Sequence, residues 1–240
     1  MASRKEQKEA LKREREARET KARTEKRRKQ LMGYGVAGAI VLAVVVVIGV
    51  LALGDDSSEG GASASDGAEV FPAGGSVPAQ KVTDLKTAAA DAACRLKSDR
   101  NNTAEHTQSL SDRVKYRTNP PTSGRHYIQV PDDGAYPTPL QDEQFVHNME
   151  HGRIIIWMSP RLPADERADL KALFDEDTYQ MVITPRRNMP YAVATTAWTA
   201  DPAPEGAGHL MLCDKYTPQV IDAIRSFRDE YRGNGPEPVP

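Results

Sequence analysis

The sequence predicts an α+β fold class: one mixed α+β domain carried behind a single N-terminal transmembrane helix. Three observations predict it. Gly33 to Leu53 is a run of 21 residues without a charge. The charge is split, with 13 Lys and Arg against 6 Glu in residues 1–32 and a net negative balance after them. Beyond residue 80, helix-period and strand-period segments alternate in mixed order, which points to α+β rather than to a repeating parallel design.

The elements follow in chain order. Residues 1–32 form a basic tail too poor in apolar side chains to bury a core. Glu9–Arg13, Glu14–Arg18, Glu19–Arg23 and Glu25–Lys29 are spaced i, i+4, which supports a solvated helix. Residues 33–53 are long enough to cross a hydrocarbon core of about 30 Å as a helix. Their Val and Ile content does not matter there, because a lone span in lipid must satisfy its amides internally. Lys26 to Lys29 before the span, and Asp55, Asp56 and Glu59 after it, put the N-terminus in the cytoplasm. The span is too long for a signal-peptide core, so the expectation is an uncleaved single-pass cell membrane protein with an extracytoplasmic C-terminal domain. Residues 54–80, rich in Gly, Ser, Ala and Asp, read as a flexible linker.

The globular domain is expected over residues 81–233, with a tail over 234–240. Thr83–Leu96 reads as a helix and 97–139 as irregular, broken by Pro120, Pro121, Gly124, Pro131 and Gly134. Gln141–His151 reads as a short helix closed by Gly152. Arg153–Met158 (RIIIWM) reads as a buried strand and Pro163–Phe174 as an amphipathic helix. Gln180–Thr184, Tyr191–Thr199 and His209–Cys213 read as strands. Pro218–Arg232 reads as the last helix. Cys94 and Cys213 are the only cysteines, and outside the cytoplasm they are expected to form a disulfide. Two buried thiols or a shared metal are the alternatives; the absence of CxxC spacing argues against redox catalysis.

The chemistry concentrates in histidine. Of the five in the chain, His106, His126, His147 and His151 precede the IIIW strand. On a helix, His147 and His151 at i, i+4 share a face and can grip one metal ion. His126, at the end of the stiff string Asn119-Pro-Pro-Thr-Ser-Gly-Arg-His126, supplies a third imidazole if that loop folds over them. Three imidazoles suit copper or zinc; Met149 as a thioether ligand would favour copper, and His106 is a further candidate. The string His147-Asn-Met-Glu150-His151 also fits H-x-x-E-H, the inverted zincin pattern, which makes Glu150 a candidate catalytic base. Against that reading, Gly152 stops the helix at once and no further carboxylate ligand follows on a second helix. A structural Glu–His network accounts for the same residues without any ligand. There is no phosphate loop or dinucleotide fingerprint, and the acidic outer domain argues against nucleic acid.

PPTSGRH, then Gly134-Ala135-Tyr136, then VHNMEHGRIIIW and a late Ala197-Trp198 together resemble the bacterial family catalogued as domain of unknown function 3105. The resemblance covers about residues 81–232. It implies a membrane-anchored or exported protein. It singles out Pro121, Gly124, His126, His147, Glu150, His151 and Gly152 without assigning them a reaction. Three functions remain open on the sequence: a metal-binding cell-envelope protein, a non-catalytic interaction module that presents its domain to an envelope partner, and a metal-dependent hydrolase.

Overall fold

A computed structural model describes residues 69–101 and 103–237. The basic tail, the uncharged run and most of the expected linker lie outside the described residues. Among those described, no helix is long and apolar enough to cross a membrane. The described chain is α+β, in the order α1 (Leu85–Asp91), β1 (Cys94–Arg100), β2 (His106–Thr107), β3 (His126–Tyr127), β4 (Gly134–Ala135), α2 (Asp142–Glu150), β5 (Ile154–Met158), α3 (Ala164–Glu176), β6 (Met181–Pro185), β7 (Val193–Thr199), β8 (Ala207–Cys213) and α4 (Gln219–Tyr231).

Six strands form one mixed sheet in the order β1-β8-β7-β5-β6-β4. β6 runs parallel to both β5 and β4, and the remaining pairs are antiparallel. β2 and β3 form a separate parallel pair. The sheet is covered on both faces, which is why β5, a continuous apolar run, is buried at every position. Side chains alternate across the pleat. Ile154, Ile156 and Met158 enter one apolar cluster with α1, α3 and α4, through residues such as Ala88, Leu170 and Ile224. Ile155 and Trp157 enter a second with Phe145, Val146 and Met149 of α2. The Trp157 indole N–H donates to Thr196 Oγ1 at 2.8 Å, so this large buried side chain leaves no polar atom unpaired.

Several segments differ from the sequence reading, among them 97–139, expected to be irregular, which carries the end of β1 and the short strands β2, β3 and β4. The helix expected over Thr83–Leu96 begins under an Asp84 cap, which accepts from Thr87 N–H at 2.9 Å, but stops at Asp91. Ala93 then takes a left-handed conformation, φ 52°, and Cys94 opens a strand instead of closing a helix. β1 reads CRLKSDR and lies at a sheet edge, so most of its side chains are exposed and it shows no apolar alternation. Charged side chains on an exposed edge also discourage pairing with another chain. Cys94 sits directly opposite Cys213 in the β1–β8 register, and the two form the expected disulfide.

The packed domain also starts before residue 81. The Arg167 guanidinium donates to the carbonyls of Glu69 and Val70 at 2.6 and 3.1 Å. Arg225 donates to the Pro78 carbonyl at 2.8 Å, and Asp222 accepts from Lys81 N–H. Val70, Phe71 and Val77 pack against the first apolar cluster, so the last part of the expected linker is held against the domain. At the other end, residues 233–237 fold back across the end of α2 through backbone hydrogen bonds.

Candidate metal centre

α2 carries the site because both its ends are well defined and little of it is wasted on solvent. Asp142 and Glu143 occupy its first turn, where carboxylates oppose the positive helix end, and seven of its nine residues are buried. Asp142 is held in place by Arg186 in a two-point pair, 2.5 and 2.9 Å. Phe145, Val146 and Met149 fill the core below. His147 and Glu150, three residues apart, share the face turned toward the β2–β3 pair.

The helix ends in a Schellman turn. Arg153 N–H donates to Asn148 O at 3.1 Å and Gly152 N–H to Met149 O at 2.9 Å. Gly152 has φ +81°, and a Cβ there would lie 2.9 Å from Gly233 Cα. The turn therefore demands glycine twice over. It also puts His151 just past the helix, so His147 and His151 do not act as the same-face pair that the i, i+4 spacing suggested.

The second component is the PPTSGRH loop. It lies against β8 at Gly208, where a Cβ would come within 2.0 Å of Thr122 Oγ1 and 2.3 Å of Thr122 Cβ. Thr122 is buried and cannot swing away. Gly208→Ala is expected to push this loop off the sheet and to cost about 1–3 kcal/mol, the usual range for overpacking. A lower urea midpoint with unchanged slope would register it; an unchanged midpoint would show that the loop yields freely. The loop delivers His126 to β3, and the parallel β2–β3 register sets His106 beside it.

Three imidazoles and one carboxylate thus converge. The ring centroids of His106, His126 and His147 are 4.5, 5.0 and 4.9 Å apart pairwise. Glu150 Oε2 lies 2.9 Å from His126 Nε2, 3.4 Å from His106 Nε2 and 3.9 Å from His147 Nε2. One ligand atom from each of the four lies within 4.8 Å of every other. His126 and Glu150 are buried, while the His106 side chain is 31% exposed. Trp198 meets His126 in a T-shaped contact, with ring centres 5.8 Å apart.

Hydrogen bonds fix the imidazole tautomers. His126 Nδ1 is 2.7 Å from Gly124 O, and His147 Nδ1 is 2.7 Å from Tyr127 O. A carbonyl only accepts, so each Nδ1 carries a proton and each Nε2 is left to face Glu150. Metal-binding histidines are oriented in this way, by donating the other ring N–H to a backbone carbonyl. Burial pushes the His147 pKa down to about 4, so at neutral pH this ring is uncharged. Burial raises the Glu150 pKa, but the neighbouring His126, then His106 and His147, outweigh it and hold the carboxyl below its usual range. Despite their 2.9 Å approach, His126 Nε2 and Glu150 Oε2 both lack a hydrogen bond of acceptable geometry. Buried polar atoms are rarely left so; a metal ion held by both atoms would satisfy them, as would an ion pair with a doubly protonated His126.

The sequence-derived candidates therefore separate. His106, His126 and His147 meet. Glu150, read from the sequence as a candidate base, joins them with its carboxylate against the imidazoles. Met149 does not reach the group: its side chain is fully buried in the second apolar cluster, on another face of α2. His151 packs edge-on to His147, ring centres 4.6 Å apart, but its Nε2 faces Glu237 at 3.7 Å. Nothing in the sequence marks Glu237, which lies between Pro236 and Pro238 in a tail with no motif around it. His209 lies apart on β8, bonded to Ser98 and Thr199 and stacked on Tyr231.

A donor set of three imidazole nitrogens and one carboxylate fits a divalent transition ion such as zinc or copper(II). Without a thioether in reach, the preference for copper that Met149 would have supplied is gone. No curated protein matches the chain, and no solved structure does. A family profile described as a protein of unknown function matches residues 106–240. The match begins at His106 rather than near residue 81, runs to the end of the chain and contains all four converging residues. The chain belongs to the family described as "Protein of unknown function (DUF3105)".

Proposed function

We propose that this protein is a single-pass membrane protein whose extracytoplasmic domain binds a divalent transition-metal ion, zinc or copper, through His106, His126, His147 and Glu150. The observation that carries the metal reading is the buried His126–Glu150 pair: ligand atoms at 2.9 Å, both without a hydrogen bond, inside a ring of oriented imidazoles. The anchor reading rests on the uncharged run 33–53 and the basic residues before it. A disulfide accords with a domain exposed to an oxidising compartment. The work that follows is metal sequestration, delivery or sensing at the cell envelope. Glu150 would serve as a ligand, which leaves a hydrolase without its candidate base.

Metal analysis of the full chain, purified in detergent without a histidine tag, tests this. At least one equivalent of zinc or copper is expected in the wild type. A His126→Ala/His147→Ala variant that keeps its far-ultraviolet spectrum is expected to retain none. Absence of stoichiometric metal from wild type after exposure to both ions would sink the reading. It would leave an envelope interaction module whose histidines and Glu150 hold its loops together.

A further inference from the structure

The C-terminal segment is built onto the end of α2 rather than trailing from α4. Gly233 N–H donates to Gly152 O at 2.9 Å, Glu237 N–H donates to Glu150 O at 3.0 Å, and Asn234 O accepts from Ala200 N–H at 2.8 Å. The contact leaves no room for a side chain at Gly235, where a Cβ would lie 2.3 Å from both Glu150 O and Gly152 N. Glu237 is thus fixed beside Glu150 by its own main chain, although its carboxylate is 62% exposed.

This fixing completes a second group of ligand atoms. Glu150, His151 and Glu237 each place one within 4.8 Å of the other two, with His151 Nε2 and Glu237 Oε2 3.7 Å apart. Glu150 is common to both groups, and His147 and His151 stand edge to face between them. Arg153, next to the group, is met by Asp133 at 3.1 Å and donates to the His151 carbonyl.

We propose that Glu150, His151 and Glu237 hold a second divalent metal ion, with the Glu150 carboxylate shared between the two positions. The inference rests on the first site being a metal site and adds a neighbour to it. Carboxylate-linked pairs of this kind place their ions about 3.5–4 Å apart. One imidazole and two carboxylates make a harder, more oxygen-rich set than the first. With Glu237 open to solvent, the second ion is the weaker-bound and the more readily exchanged. The strap makes the second position depend on the C-terminus for a ligand, whereas none of the first site's four side chains comes from it.

Zinc titration of the metal-stripped full chain in detergent, followed by calorimetry and equilibrium dialysis, tests the proposal. Two equivalents are expected, the second weaker. Glu237→Gln is expected to weaken the second at least tenfold and leave the first unchanged; loss of a mere outer partner already costs about 10–100-fold in affinity. Gly235→Ala, which keeps the Glu237 carboxylate but lifts the strap, is expected to do the same. One equivalent in wild type, unaffected by Glu237→Gln, would overturn the second ion and leave the first site standing. Two equivalents that both survive Glu237→Gln and Gly235→Ala would place the second ion elsewhere and overturn the proposal too. No equivalent in wild type would remove both sites together.

Discussion

Glu150→Gln is expected to abolish the stabilisation that metal confers while leaving the metal-free protein almost as stable as wild type. An ion that binds only the folded state adds RT ln(1 + [L]/Kd), about 4 kcal/mol at a free concentration 1,000-fold above Kd. The amide keeps the shape of the carboxylate and can donate to an imidazole Nε2, so its cost without metal is expected to stay under about 1 kcal/mol. A structural network predicts the reverse. Breaking a buried ion pair typically costs about 3–5 kcal/mol because one charge is left stranded. The two readings therefore differ by several kcal/mol in the same measurement, urea unfolding of wild type and variant with chelator and with zinc. A metal-free Glu150→Gln that loses 3 kcal/mol or more, together with a wild type that zinc does not stabilise, would establish the network and discard the ion.

Much of this site could be read before the structure, and the reasons are local. His126, His147 and Glu150 sit in strings whose flanking residues are themselves informative, since proline and glycine fix a loop and Gly152 marks a helix end. The IIIW strand was legible because a run buried on both faces is continuous rather than alternating. What could not be read depended on where distant pieces meet. β1 was missed because an edge strand of charged residues carries no period. Met149 stands between His147 and Glu150 in sequence, and that position alone makes it a candidate ligand on the sequence. Met149 projects from another face of α2 than His147 and Glu150, so its role is decided by what lies under it, and here that is core. His151 groups with Glu150 and Glu237 rather than with the three other imidazoles, for a related reason. The i, i+4 rule holds only inside a helix, and the Schellman turn moves residue 151 out of it. Glu237 belongs to a tail whose docking is encoded by an absence of side chains at Gly233 and Gly235, and that absence becomes informative only once the opposing surface is known.

Removal of the Cys94–Cys213 disulfide is expected to have the largest effect on stability and almost none on the metal site. The bond closes a loop with a sequence separation of 119 residues. In the chain-entropy account a loop of that size is worth close to 5 kcal/mol, nearly all of it through the unfolded chain. Domains of this kind are stable by about 5–15 kcal/mol in total, so a Cys94→Ala/Cys213→Ala variant is expected to lie near its unfolding threshold. Its urea midpoint should fall sharply and its slope should rise, because the unfolded chain without the cross-link exposes more surface. The native contacts argue for independence from the metal. Cys213 belongs to the apolar cluster shared by α1, α3 and α4, whereas α2, which carries His147 and Glu150, rests on the other cluster. The losses from Glu150→Gln in zinc and from the double cysteine variant should therefore add to within about 0.5 kcal/mol when combined, as distant sites do. A shortfall well beyond that would mean that β8, which carries both Cys213 and the glycine on which the PPTSGRH loop rests, transmits strain from one face of the sheet to the other.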